Sequence, residues 1–321
     1  MPPFARTILL AALAVPAAAQ PHIHDFDFYG LQRGSPEKIL ETLKLHTGDP
    51  LPGSRGDLED RIEKISGIVQ ARVEAVCCEG KDISLFIGVQ EKGATPVAFR
   101  SEPGGDATLP DALTGTYDRF RSSSQATRDS GIFADQFAEF AKDHLTELSQ
   151  VVRTAGEAQQ RAIAAAVLQY APSTQSVIDD LQYTLQDPDE SVRANALRSL
   201  RAMAVQATRP PSAGLKISPT WLIELVNSIV LNDRVQATET LLMLTDHGER
   251  QVLDQIQVRD LPALAEMARW ENLRYALPPF LLLARIAGLT DQEAQRRWSE
   301  GEREPVIAKA LGRQPAARQK R

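Results

Sequence analysis

Residues suited to covalent or metal chemistry are scarce in this chain: its 321 residues include only two cysteines and five histidines. The cysteines, Cys77 and Cys78, are adjacent, so the Cys-x-x-Cys spacing of a thioredoxin-type site is missing. The histidines, at positions 22, 24, 46, 144 and 247, nowhere form the His-Glu-x-x-His pattern that sets two zinc ligands on one helical face. No Gly-x-Ser-x-Gly elbow and no Gly-x-x-x-x-Gly-Lys phosphate loop occurs. Basic excess is missing too. A formal net charge of −6 argues against a general nucleic-acid binder. Aromatic residues are few, at 6%, which suits Ala/Leu-rich helices better than a β-sandwich. Beyond residue 19 no apolar run is long enough to cross a bilayer as a helix. These absences leave no catalytic constellation, no cofactor and no resident metal to expect.

What is present begins with a leader. Arg6 supplies a positive n-region, Thr7 to Val15 a short apolar core, and Ala17, Ala18 and Ala19 a small-residue cleavage site. Residues 1–19 are therefore expected to be a signal peptide. No cysteine follows at once to accept a lipid. Removal leaves 35 basic residues against 42 acidic ones, a net of −7. The expected mature protein is exported, periplasmic or secreted, with no integral membrane segment.

Residues 20–92 read as strand, helix, helix, strand, strand. Ile23, Phe26 and Phe28 alternate with polar residues and stop at Gly30. Ser35-Pro36 opens a helix carrying Ile39, Leu40 and Leu43 on one face. Thr47-Gly48-Asp49-Pro50 breaks it, and a second helix from about Ser54 carries Leu58, Ile62 and Ile65. Ala71, Val73, Ala75 and Cys77 then recur with period two. So do Ile83, Leu85, Ile87 and Val89, after a hairpin turn at Glu79-Gly80-Lys81. With Phe28-Tyr29-Gly30, the Leu43–Leu51 segment and Val89-Gln90-Glu91, this order resembles a POTRA domain. The resemblance implies a β-α-α-β-β fold that binds partner polypeptides, with a strand edge able to accept an extended segment. The membrane barrel or anchor that usually accompanies such domains does not follow.

Residues 93–130 read as a linker. Pro96, Pro103-Gly104-Gly105 and Pro110 punctuate it, and one short amphipathic helix forms around Leu113, Tyr117 and Phe120. From 131 to 312 the pattern is helical and paired. Asp187-Pro188-Asp189-Glu190-Ser191-Val192-Arg193 reads as a capped helix start, with Asp187 as the cap and Glu190 reaching back. Val192, Ala196, Leu197 and Leu200 form the apolar stripe behind it, and Arg193, Asn195 and Arg198 the polar side. Further hairpins turn at Asn232-Asp233 and Glu271-Asn272, and Pro278-Pro279 would kink the third pair's second helix. Thr290-Asp291-Gln292-Glu293 is a capping box. The 187–200 stretch resembles the second helix of a HEAT repeat, and the spacing of the turns fits such units. It implies a stack of three to four hairpins with an extended binding surface. Residues 313–321, with Arg313, Arg318, Lys320 and Arg321, read as a basic, solvated tail.

The remaining candidate sites have simpler readings. His22, His24 and Asp25 invite a metal, but Pro21 lacks the amide a terminal copper site needs, and solvated side chains ahead of the first strand explain them. Cys77 and Cys78 leave three alternatives open: a vicinal disulfide, a buried Cys77 with an exposed Cys78, or an intermolecular bridge. Asp187, Asp189 and Glu190 lack the sixth-position glycine of a calcium loop, so capping accounts for them. His247 stands at a helix end, where the dipole favours an imidazolium. The expected fold is α+β. The expected function is a non-enzymatic protein-interaction scaffold with an unidentified protein partner and no nucleic acid. The alternative is a cell-envelope biogenesis factor acting by strand addition.

Overall fold

The computed structural model describes residues 21–77, 82–129, 131–207, 214–246 and 249–312. The expected leader 1–19, the turn Glu79-Gly80-Lys81, Cys78, His247 and the tail 313–321 lie outside the described residues. The first elements are β1 (His22–Tyr29), α1 (Pro36–Leu43), α2 (Arg55–Glu63), β2 (Ile68–Cys77) and β3 (Asp82–Glu91). β3 is central, parallel to β1 and antiparallel to β2. His22 and His24 lie within β1, exposed, rather than ahead of it. Ser35 caps α1 through Lys38 N, with Pro36 at its first position.

Alternation along the strands divides the sheet into two dissimilar faces. Ile23, Ala71, Val73, Leu85, Ile87 and Val89 face α1 and α2, where Ile39, Leu43, Leu58 and Ile62 complete a separate core. The opposite face carries Asp27, Tyr29, Arg72, Glu74 and Phe86. It is covered by the helical part of the chain: Phe86 meets Trp270 and Tyr275 edge-on at 5.1 and 5.5 Å. Gly88 makes room for the Tyr29 ring, since a Cβ there would stand 2.3 Å from it.

The helical part comprises α3 (Asp111–Ser122), α4 (Gln125–Asp129), α5 (Ile132–Asp143), α6 (Leu145–Thr154), α7 (Ala158–Val167), α8 (Gln175–Thr184), α9 (Glu190–Ala207) and α10 (Thr220–Val226). It continues with α11 (Leu231–Leu244), α12 (Arg250–Arg259), α13 (Leu261–Met267), α14 (Leu273–Ile286), α15 (Asp291–Ser299) and α16 (Arg303–Leu311). α7, α9, α11 and α14 pack in succession, and α6, α8, α10 and α13 lie beside them as partners. α14 runs from Leu273 to Ile286 with Pro278 and Pro279 inside it. The capping box at Thr290 and Glu293 forms as expected.

Two details differ from the reading of the 187–200 stretch. Asp189, not Asp187, caps α9, accepting from Ser191 N and Val192 N at 2.9 and 3.1 Å. Asp187 is instead buried against Arg161, which donates to its two oxygens at 2.8 and 3.0 Å. Either acid is chemically able to cap; the buried guanidinium decides between them. Arg193 and Asn195 are also buried rather than on a wet face, because α9 has neighbours on both sides. Likewise Asn232 and Asp233 belong to the first turn of α11 instead of the loop before it.

The buried arginines form a repeated bracket. Arg161 donates to the carbonyls of Ala155 and Gly156 in its own turn and to Asp187 of the next hairpin. Arg193 donates to the carbonyls of Asp187 and Pro188 and to Asp233 of the next. Arg234 donates to the carbonyl of Ser228 and faces Glu266 at 3.6 Å. Each satisfies carbonyls left over where helices meet and ties one hairpin to the following one.

The segment between sheet and helices is held against the helical part at several points between residues 99 and 109. Phe99 lies 3.9 Å beneath the Arg193 guanidinium. Arg100 donates through its backbone to Gln186 O and through its side chain to Asp187. Gly105 pairs with the chain at Thr154 and Gly156, and Leu109 N reaches Gln160.

Candidate functional site

The N-terminal ends of α11 and α14 point at the second face of the sheet. A helix start leaves N–H groups without intrahelical acceptors and carries partial positive charge, so a carboxylate there is stabilising. The sheet supplies one to each. Glu74 of β2 accepts from Leu231 N at 3.3 Å, and Asp27 of β1 accepts from Glu271 N and Asn272 N at 2.6 and 3.0 Å. In return Glu266 of α13 accepts from Gly30 N at 2.9 Å. Trp270 Nε1 donates to Phe28 O at 2.9 Å, and Asn272 Nδ2 to Ser84 Oγ at 2.9 Å. Tyr29 Oη donates to Ile229 O at 3.0 Å. Gly30 makes the turn out of β1 with φ +82, and a Cβ on it would meet Val89 O at 2.1 Å.

Between these contacts the two parts enclose a cleft of about 1110 Å³. One wall is the sheet, with Gln70, Arg72 and Gln90. The connecting segment contributes Thr95, Val97 and Phe99. The starts of α9 and α11, with Glu190 and Val230, and the end of α10, with Asn227, close the far side. A smaller hollow of about 510 Å³ continues past Arg72 and Glu190 toward Arg55 and Glu59.

Burial dominates the electrostatics here. It pushes the Asp27 carboxyl up from 3.8 to about 6, against the two backbone N–H bonds that pull it down. Burial likewise raises Glu74 and Glu266, and Arg234 is lowered for the same reason. Deeper in, burial carries Asp260 up to about 7 despite its bond from Asn227. Such groups are often catalytic, but in the cleft each acid that burial raises already holds a backbone N–H. No histidine or cysteine lines the cleft among the described residues. No three His, Cys, Asp or Glu side chains group as a metal site among them either. Among the described residues His22, His24 and Asp25 form no such group. Cys77 ends β2 opposite Ile83, and no described cysteine is free; Cys78 lies outside the described residues, and with it the choice among the three alternatives. The cleft lining combines amide, hydroxyl, guanidinium and carboxylate groups with the rings of Phe26, Phe28, Phe99 and Trp270.

Each outer strand has edge groups engaged within the molecule. On β2, Ala71 N donates to Glu63 Oε1 at 3.0 Å and Val73 N to Glu59 Oε1 at 2.8 Å. On β1, Ile23 exchanges backbone bonds with Gly48 and Asp49.

Sequence reasoning overlooked the docked face. One signal was available: Ile83-Ser84-Leu85-Phe86-Ile87-Gly88-Val89 carries no charge on either face, as a strand buried on both sides would.

The described chain is thus an α+β protein, a small mixed sheet docked on a mostly helical remainder, and among the described residues no helix is long and apolar enough to cross a membrane. Compared with protein-family models and with curated proteins, the sequence matches none.

Proposed function

We propose that this protein is an exported, non-enzymatic interaction scaffold that holds a polypeptide partner in the cleft between its POTRA-like sheet and its HEAT-like helices. The observation that carries the reading is the reciprocal capping of the two parts. Asp27 and Glu74 are spent on helix starts, and Glu266 on the sheet, so the cleft walls are fixed and its perturbed acids have structural work. A preformed concave site with mixed polar and aromatic lining suits recognition of an extended chain.

The test is in-cell photo-crosslinking with the full chain, placing the photoreactive residue at Gln90 or Thr95 in the cleft, at Ala75 on β2, or at Val258 on exposed α12. The expected result is one discrete protein adduct from the cleft positions, none from Val258, and loss of the adduct on Arg72→Glu. Adducts from Ala75 alone would favour an envelope biogenesis role by strand addition. That role must displace Glu59 and Glu63 from the β2 edge.

A further inference from the structure

Apart from the cleft, the sheet domain carries an apolar groove of about 690 Å³ between the start of α1 and the start of β2. Leu31, Ile39, Ile65 and Ile68 line its apolar part. Gly67 stands at its side with φ +98 and nothing within 4 Å of where a Cβ would be, so that flank is open. Arg33, Lys38 and Lys92 line it too, all exposed. The one acid among the lining residues, Glu91, is buried, and its oxygens accept from Gln32 N, Arg33 N and Gly34 N. Burial alone would raise that carboxyl, but the backbone bonds outweigh it and hold the group ionised. The charges around the groove therefore leave an excess of two positive, on a chain whose formal net charge is −6.

We infer that this groove is a second docking site and that it takes an acidic, leucine-like peptide segment, apolar side chains on its floor and carboxylates against Arg33, Lys38 and Lys92. Charge complementarity selects the occupant. The chain's own C-terminal residues, with Arg313, Arg318, Lys320 and Arg321, carry the wrong sign. The flank open to water at Gly67 suits a peptide with a polar side better than an acyl chain, whose whole length is apolar. The site shares Leu31 with the cleft but no cation, so substitutions at Lys38 and Lys92 test it separately from the proposed scaffold function.

The experiment is fluorescence polarisation with the full chain and three probes: an end-blocked hexapeptide alternating Leu and Glu, its Leu/Lys counterpart, and phosphatidylglycerol vesicles as competitor. The Leu/Glu peptide is expected to bind and to weaken with salt, and the Leu/Lys peptide not to bind. Lys38→Glu with Lys92→Glu is expected to weaken the first by about tenfold or more and to confer binding of the second. Both lysines are exposed, and a circular-dichroism melt checks that the variant is folded; Lys38→Gln with Lys92→Gln serves if it is not. Equal binding of both peptides, no binding, or displacement by vesicles with no effect of the substitutions would each overturn the inference.

Discussion

Replacing Asp27 by asparagine should remove the pH dependence that this carboxyl gives to stability, at a pH-independent cost of about 1–2 kcal/mol, because the amide nitrogen cannot accept one of the two N–H groups of Glu271 and Asn272. Asp27 is 3% exposed and its carboxyl titrates at about 6 rather than 3.8. At about 1.4 kcal/mol per tenfold change, that gap corresponds to about 3 kcal/mol. The sign follows from the direction of the shift. A raised folded-state pKa means the contribution is fully present below 3.8 and is lost as pH climbs through about 6. Wild type should therefore lose up to about 3 kcal/mol from this group between roughly pH 4 and pH 7, and Asp27→Asn should lose none of it. Asp25 and Glu271, the acids whose charges press on Asp27, remain in both proteins. So do Asp260, Glu74 and Glu266, whose own shifts cancel in the comparison. The assay is urea unfolding of both proteins across that range, followed by the fluorescence of the chain's three tryptophans. Curves that stay parallel from acid to neutral would refute the burial of an ionisable Asp27 at the start of α14. Asp27→Ala, which strands two buried N–H groups, should cost about 2–4 kcal/mol near neutral pH.

Three further outcomes are expected. Gly88→Ala forces its Cβ into the Tyr29 ring and should cost about 1–3 kcal/mol in chemical denaturation, by overpacking; a neutral result would mean that the ring has room to move. Arg193→Met leaves Asp233 buried with Ser228 as its remaining side-chain donor and should cost about 3–5 kcal/mol, with much of it recovered by adding Asp233→Leu. Glu59→Ala with Glu63→Ala uncovers the N–H groups of Ala71 and Val73. It should cost only about 1–2 kcal/mol yet promote self-association through β2, seen by light scattering; a strictly monodisperse variant would argue against the carboxylates as edge guards.

Local features were legible because their partners are close in sequence. Ser35 with Pro36, the Thr290 and Glu293 capping box, and the period-two runs in β2 and β3 all follow from spacing alone. The helical pairing around α8 and α9 followed from one apolar stripe. The candidate site was not legible, and the reason is distance along the chain. Asp27 and Asn272 meet across 245 residues, and Glu74 and Leu231 across 157. Nothing near Asp27 says that a helix start awaits it. Arg193 shows the same limit in miniature: beside Asn195 and Arg198 it reads as part of a solvated face, and only the presence of α11 next to α9 turns it inward.

The sheet domain is made before the helices it docks on, and its core against α1 and α2 draws only on residues up to about Glu91. Its other face has to wait. Tyr29, Asp27 and Glu74 stay wet until residues 229–272 have been made and folded. Closing so wide a loop is slow, and until then Phe86 is an exposed aromatic on an unfinished surface. Assembly should thus end with a late association step, and a folding probe on Trp270 should lag one on the α1 and α2 side. That interval is when the young chain is most exposed to aggregation.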